Sequence, residues 1–471
     1  MPDPPPKRRK NRWVLSVRAL MLLVLLVGGG LEWMLHRARV QRDAVAMIRR
    51  KGGHVEYASG GVDELAPPPQ PRWKWLRGPL SRDFLESVKS VWGFQSNLTD
   101  ADLAVIGQLG HLESLSLWKT SATDTGVAHL RGLTGLRDLR LDSRRITGAS
   151  LAHLAGMTRL TSLELSSPRP AASENPHRMT FDTLPIRDAD LASLERLTAL
   201  ESLCLPGDQI TDAGLVHLGG LTHLDCLALS GAQVTSEGMA SLRGLTNLSA
   251  LHLNGTRVGR VEPLRQFPKL TILSLGYTPI HDAGLAHLGD LRQLGALRLD
   301  GTQITDQGLA QVAGLRKLGY LSLNETQITD AGLYHLRGLS KLQQLCLTDT
   351  QITDDGLATL AAPTHSRRLI ELSLTGTPIT DAGLAHLTGL PALSTLYLSR
   401  TGITDAGLAR LASVTTLGWL VLDHTQVTDQ GLASLASLTN CRHVSVKGTK
   451  VTAAGILQAK TSLPPGMSIE R

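Results

Sequence analysis

The sequence predicts an α/β solenoid, a right-handed coil with one parallel sheet on its concave side and short helices on its convex side. A 24-residue pattern recurs from Thr99 to the end of the 471-residue chain. Each copy contains a Leu-x-Leu segment, whose alternation is typical of a strand with one buried face. Aromatic residues make up only 3% of the chain, which is poor for several conventional cores but suits an array built from leucine.

The first 35 residues are predicted to form a basic tail, 1–12, and a transmembrane anchor, 13–35. An apolar run of 13 residues extends from Ala19 to Leu31, and a stretch of 22 residues from Val14 to Leu35 approaches the length of a span. A cleaved signal peptide is the alternative, but no clear A-x-A site follows the run. Arginines flank the apolar run on both sides, so they do not fix the orientation of the segment in the membrane, and an exported repeat domain is the preferred interpretation.

Residues 36–72 are predicted to form a juxtamembrane helix and a Pro-rich linker. Val40, Ala44, Met47 and Ile48 have helical spacing, and Gly52 follows as a stop. The basic face of this helix could lie on anionic lipid or simply be solvated. Residues 66–71 are a stiff, extended linker. Residues 73–98 are predicted to hold the N-terminal cap, with a helix over 80–88, and the first strand.

The repeat domain is predicted to span 99–471. Its pattern is TDxGLxxLxxLxxLxxLxLxxTxI, and its period is interrupted by an insertion at 166–182, which is expected to be a surface loop. Fifteen units begin at residues 99, 123, 147, 187, 211, 235, 259, 281, 305, 329, 353, 380, 404, 428 and 452. A period kept through so many units predicts strands at 91, 115, 139 and onward to 444.

Each position of the unit has an expected role. The leucines point inward, and the threonine after the strand can satisfy turn backbone groups with its hydroxyl. Thr-Asp begins a helix, with the aspartate, for example Asp282 or Asp306, predicted as its N-cap. A glycine two residues later occurs in 11 of the 15 units, where the lack of a Cβ would let neighbouring helices approach closely.

These repeats resemble the leucine-rich-repeat proteins of the 24-residue TDxGL type. The chain is similar to bacterial repeat proteins with one N-terminal membrane segment, and its repeats also resemble those of F-box leucine-rich-repeat adaptors. The resemblance implies the solenoid fold and a binding role. It also leaves a ubiquitin-ligase adaptor as an alternative, although no F-box-like segment precedes the repeats. Threonine replaces the asparagine or cysteine that usually follows the strand in the family.

Composition and motifs argue against several other functions. Residues 1–72 hold 13 Lys/Arg and 6 Asp/Glu, and the other 399 residues hold 35 of each, so the repeats lack the basic face that nucleic acid requires. No phosphate-binding or dinucleotide-binding motif is present, and no cofactor is predicted. Six histidines share the helical side of their units, opposite strand residues such as Ser274 and Ser322, so no Ser/His dyad is expected and the chain is predicted not to be an enzyme. These histidines are His129, His153, His217, His287, His335 and His386.

One group of side chains in the repeats contains possible metal ligands. Cys204, Cys226 and His252 face outward on three consecutive predicted strands, and two thiols with an imidazole could hold zinc. The diagonal spacing of the cysteines, about 8 Å, exceeds disulfide range. A chance occurrence of small residues is the preferred interpretation, and a hydrolase or metalloprotein stays only as an alternative function.

The concave face carries the predicted binding site. Its outward residues are mostly small, and two groups of larger side chains interrupt this background. Exposed aromatic residues in a concave surface are typical of protein-binding hot spots. The predicted function is therefore a membrane-anchored scaffold or receptor that binds a protein, although Trp92 and Phe94 could instead only pack under the N-terminal cap. The first group is Trp92, Phe94 and Trp118, and the second is Tyr397, Trp419 and His443 beside Glu371.

Overall fold

The computed structural model describes residues 17–58, 86–93, 97–166, 183–362 and 367–471. Within them the chain forms an α/β leucine-rich-repeat solenoid with its parallel sheet on the concave side, as the 24-residue period predicts. The basic tail, the Pro-rich linker, Phe94 and nearly all of the 166–182 insertion lie outside the described residues. The domain boundaries stay a prediction.

Seventeen strands form the main sheet. The first pair is antiparallel, Gly53–Tyr57 against Val88–Gly93, and each later strand pairs in parallel with the strand of the next unit. The remaining strands are Ser114–Leu117, Asp138–Asp142, Ser162–Ser166, Ser202–Cys204, Cys226–Ala228, Ala250–His252, Ile272–Ser274, Ala296–Arg298, Tyr320–Ser322, Gln344–Cys346, Glu371–Ser373, Thr395–Tyr397, Trp419–Val421, His443–Ser445 and Ser468–Glu470. A separate two-stranded ladder joins Leu184–Arg187 to Gly207–Gln209.

The opposite side is built from short helices. The α-helices of this side are Asp100–Ile106, Asp124–Ala128, Ala149–Leu154, Asp188–Leu191, Asp212–Leu215, Asp306–Leu309, Asp330–Leu333, Asp354–Leu360, Asp405–Leu411, Asp429–Leu432 and Ala453–Ala459, and one long α-helix, Val17–Arg50, precedes the solenoid. The 3-10 helices are His129–Gly132, Ala192–Leu194, Val216–Leu218, Gly238–Leu242, Glu262–Gln266, Asp282–Leu285, Leu288–Asp290, Ala310–Gly314, Tyr334–Gly338, Gly383–Gly389 and Ala433–Ser437.

The core is a column of leucines between these two layers. In the unit that begins at 281, Leu285, Leu288 and Leu294 are fully buried, and Leu297 pairs in register with Leu321 of the next strand. Burying one leucine contributes about 1.5–3 kcal/mol, so the column supplies most of the stability of the array. The strand-exit threonines act as predicted, for the hydroxyl of Thr302 donates to the carbonyl of Leu299 at 2.6 Å.

Each helix start is linked to the next unit by an aspartate. The prediction that this aspartate is the N-cap is wrong, because the preceding threonine takes that position: the Thr305 hydroxyl accepts from the backbone N–H of Gln307. The carboxylate of Asp282 instead accepts from the backbone N–H and the hydroxyl of Thr305, one unit later, at 2.8 and 2.6 Å. The same pair of bonds recurs along the solenoid, for example from Thr428 to Asp405.

The repeated glycine makes room for this link. A Cβ on Gly308 would lie 2.3 Å from Oδ1 of Asp282, and one on Gly431 would lie equally close to Asp405. The predicted close approach is therefore confirmed, with the carboxylate as the group that needs the space. In the unit that begins at 147, Ser150 replaces the glycine, and its hydroxyl donates to Asp124.

The N-terminal helix has a different role from the one predicted. It runs without a break from Val17 to Arg50, and Ala44, Val45 and Ile48 are buried in the solenoid core. Gly52, with φ +79, then turns the chain into the antiparallel strand Gly53–Tyr57. The prediction of a juxtamembrane helix and linker over 36–72 missed this packing, since part of that segment closes the first edge of the sheet.

Among the described residues, no helix combines the length and the apolar character needed to cross a membrane. The predicted anchor at 13–35, and the single-pass membrane localisation derived from it, are wrong. The apolar run of 13 residues ends at Leu31, before Glu32, Arg37 and Arg39. At a rise of 1.5 Å per residue such a run covers about 20 Å, short of the roughly 30 Å hydrocarbon core.

Candidate functional site

The parallel register places the concave side chains in two rows. The first row contains Glu371, Thr395, Trp419 and His443 on four successive strands. In the second row, Tyr397 lies between Ser373 and Val421. The structure therefore brings the second predicted group together on four adjacent strands at the C-terminal part of the face.

Most of this face is formed by small side chains that lie low in the sheet. Ser274, Ser322 and Ser373 are 1–4% exposed, whereas Trp419 is 43% exposed. The contrast arises because a serine ends near the level of its strand while an indole rises well above it. Trp419 thus projects as a large apolar side chain from a surface formed mostly by small residues.

Trp419 is held by its neighbour in the first row. The rings of Trp419 and His443 are stacked at 26°, with their centroids 3.9 Å apart. Nδ1 of His443 lies 3.0 Å from the hydroxyl of Ser468, and its Nε2 lies 3.7 Å from the carboxylate of Glu470. These contacts order the imidazole, and the stack in turn restricts the indole before any partner arrives.

Glu371 and Tyr397 lie on the other side of Trp419. The Glu371 carboxylate accepts a hydrogen bond from the side-chain amide of Gln344 at 2.9 Å. Tyr397 is half-buried, and burial, followed by the nearby charge of Glu371 and the thiol of Cys346, raises the pKa of its phenol. The phenol therefore stays neutral and can donate or accept a hydrogen bond at neutral pH.

The N-terminal aromatic residues occupy the far end of the same face. Trp92 is half-buried and stacks on His54, with centroids 6.0 Å apart, so it belongs partly to the capped edge. Trp118 is 44% exposed, and its indole N–H donates to Ser116 at 2.9 Å. Twelve strand spacings, about 58 Å, separate Trp118 from Trp419, so the two predicted groups form separate sites.

The possible zinc ligands are not arranged as a metal site. Cys204 and His252 lie in one row with Ala228 between them, while Cys226 lies in the other row. The described residues contain no group of three His, Cys, Asp or Glu side chains able to hold a metal ion. Burial raises the pKa of Cys204 to about 12 and also raises that of Cys226, which disfavours the thiolates that zinc requires.

A contact on the concave face that was not predicted joins Arg298 and Tyr320. The Arg298 guanidinium lies 5.1 Å from the centroid of the Tyr320 ring on the next strand. The unit positions of both residues mark them as outward-facing, but the period does not reveal which neighbours touch. This pair provides a comparison for Trp419, because it shows how the sheet holds a cation against an aromatic ring.

Comparison with known proteins agrees with this architecture. The family profile described as "Leucine-rich repeat region" matches residues 180–463. The chain belongs to the leucine-rich repeat family. No curated protein is significantly similar to it.

Several solved structures are similar in fold. An internalin (inlF) from Listeria monocytogenes is 20% identical, with a TM-score of 0.46, over 79% of this chain and 88% of the internalin. A leucine-rich-repeat protein of Leptospira interrogans is 17% identical, with a TM-score of 0.43, over 78% of this chain and 92% of its own. A plant peptide hormone receptor, in complex with RGF2, is 14% identical, with a TM-score of 0.36, over 78% and 71% of the two chains.

Proposed function

We propose that this protein is a binding scaffold whose concave face engages another protein, with Trp419, His443 and Tyr397 as the principal contact. The observation that carries the proposal is the ordered, exposed Trp419–His443 stack on a sheet of small side chains. Burying such an aromatic anchor typically contributes about 2 kcal/mol or more to binding. Trp92 and Trp118 form a second, separate candidate contact.

The experiment is affinity capture with the full chain from extracts of its native cells, repeated with the Trp419→Ala variant. A protein bound through this site should be retained about thirtyfold more weakly, which corresponds to about 2 kcal/mol at 1.4 kcal/mol per decade. Tyr334→Ala is the matched control. Tyr334 is 54% exposed but lies on the helical side, in Tyr334–Gly338, so its loss should leave capture unchanged.

A Tyr397→Ala/Trp419→Ala variant that keeps its circular dichroism spectrum yet captures every partner with unchanged affinity would refute this site. Loss of capture only in Trp118→Ala would move the site to the N-terminal aromatic residues. No specific group of described residues supports the alternative functions of a ubiquitin-ligase adaptor or a hydrolase. The absence of catalysis stays a prediction.

A further inference from the structure

Glu371 is a concave-face carboxylate that has no cationic partner among the described residues. Glu371 is half-buried, and among the described residues no lysine, arginine or histidine lies within ion-pair distance of it. Within the described part of the chain, its side chain accepts a hydrogen bond from the neutral amide of Gln344. A carboxylate that loses part of its hydration without gaining a positive partner is a favourable place for an incoming cation.

The free side of Trp419 points towards this carboxylate. One face of the indole is covered by His443, on the following strand. The other face is turned towards the preceding strand, where Thr395 pairs directly with Trp419, and Glu371 pairs with Thr395 one strand further on. The short side chain of Thr395 thus forms the floor of a slot between the indole and Glu371.

The size of this slot suits a single charged group. Two strand spacings, about 9.6 Å, separate the backbones of Glu371 and Trp419, which leaves room for one guanidinium or ammonium group above Thr395. Tyr397 follows Thr395 by two residues on the same strand, so it lies beside the slot on the same face of the sheet and brings a neutral phenol there. We name this site, made of Glu371, Thr395, Tyr397 and Trp419, the acidic aromatic slot.

The Arg298–Tyr320 pair shows what the slot lacks. Tyr320 occupies the same row as Trp419, and its ring is contacted by Arg298 from the second row of the preceding strand. At Trp419 the corresponding residue is Tyr397, which is uncharged. Two cations of the C-terminal units have partners elsewhere, since Nη2 of Arg400 donates to both carboxylate oxygens of Asp349 and Lys447 pairs with Glu470.

We propose that the acidic aromatic slot binds the cationic side chain of an arginine or lysine on the protein partner. The proposal rests on the proposed function and specifies the chemistry that the partner presents. The cation lies over the open face of the Trp419 indole, which gives a cation–π contact, and its N–H groups donate a charge-assisted hydrogen bond to the carboxylate of Glu371. Arginine fits better than lysine, because its planar group can stack on the indole while its N–H donors reach the carboxylate.

The test uses the full chain labelled with 5-fluorotryptophan and observed by fluorine NMR, with the Trp419 resonance assigned from the Trp419→Phe variant. The probe is the peptide acetyl-Gly-Arg-Gly-amide, and its control carries citrulline, which has the same shape but no charge. The arginine peptide should shift the Trp419 resonance in a saturable manner. The citrulline peptide should bind at least about fivefold more weakly, as expected for loss of a cation–π contact and an ion pair.

Glu371→Gln should weaken the arginine peptide about two- to fivefold without moving the resonance of the free protein far. Glu164→Gln is the matched control, because Glu164 is on the same face but 3.8 Å from Arg140, and it should have no effect. Equal binding of the two peptides, no saturable shift, or an unchanged affinity in Glu371→Gln would overturn the proposal. If the peptide test fails but capture of a protein still depends on Trp419, the proposed function stands, and only the proposal that the partner inserts a cationic side chain is wrong.

Discussion

At the scale of single residues, the repeat depends on a three-residue relation that joins neighbouring units. The aspartate of one unit accepts two hydrogen bonds from the threonine of the next, and the glycine of that next unit leaves the space the carboxylate occupies. A hydrogen bond to a charged group typically contributes about 1.5–3 kcal/mol. Threonine, aspartate and glycine therefore recur together because each is needed for the same contact between units.

Gly308→Ala should disrupt this contact. Its new Cβ would lie 2.3 Å from Oδ1 of Asp282, so the carboxylate must move and its bonds to Thr305 must lengthen. We expect a loss of about 1–3 kcal/mol in the free energy of unfolding, measured by urea denaturation. Gly132→Ala is the control, since a Cβ there meets nothing within 4 Å. Equal stability of the two variants would show that the spacing is not required.

The side of the sheet that a residue faces could be predicted from the sequence, but its contacts with other residues could not. Leu297 and Trp419 were placed correctly because a strict period fixes which side of a strand each residue faces. The N-cap was assigned to aspartate instead of threonine because both are good capping residues, and the deciding partner, Thr305 for Asp282, belongs to a different unit. Contacts such as that of Arg298 with Tyr320 depend on rotamers, which a period does not encode.

At the scale of elements, two aspartates at helix starts, Asp100 and Asp429, make the solenoid sensitive to acid. The backbone N–H and the hydroxyl of Thr452 donate to Asp429 at 2.6 and 2.7 Å and hold its pKa below the ordinary 3.8. At Asp100, burial acts to raise the pKa, but the bonds from Thr123 outweigh it and the pKa is lowered. A carboxyl group whose pKa is lower in the folded state than in the unfolded state stabilises the folded state at pH values above the unfolded-state pKa. This contribution is lost as the pH falls through the pKa of the folded state.

We therefore expect the free energy of unfolding to fall as the pH drops below about 4. Urea denaturation between pH 7 and pH 2 measures the effect, and Asp429→Asn, which cannot titrate, should lose less stability over that range than the natural chain. Ser437→Ala serves as the control, because the Ser437 hydroxyl donates to the backbone carbonyls of Ala412 and Ser434 and contacts no titratable side chain in the described residues. An identical pH profile in Asp429→Asn would mean that this carboxylate does not contribute to the acid transition.

At the scale of the whole molecule, the N-terminal helix packs at one end of a stack whose units pack mainly on their neighbours. The sequence pattern predicted a helix with Ala44 and Ile48 at helical spacing, but it did not predict their burial. The helix was assigned to a membrane-proximal spacer because the apolar run before it, up to Leu31, suggested a membrane span. What Ile48 packs against could not be inferred, since the strand Gly53–Tyr57 carries no trace of the 24-residue period. Irregular caps are generally less predictable than the units they cover.

This arrangement predicts a local response to damage at the cap. Ile48 is 2% exposed, and Ile48→Asp would bury a carboxylate without a partner, at a cost of several kcal/mol. Because stability in a solenoid is roughly a sum of unit and interface contributions, the loss should stay near the first strands. Amide hydrogen exchange should accelerate more than tenfold in Val88–Gly93 and Ser114–Leu117, while Trp419–Val421 and His443–Ser445 remain protected.

The control is Met34→Asp, at a position 51% exposed on the same helix, which should leave hydrogen exchange in all four strands unchanged. Uniform acceleration along the whole sheet would show that the solenoid unfolds as one cooperative unit and that the helix stabilises all of it.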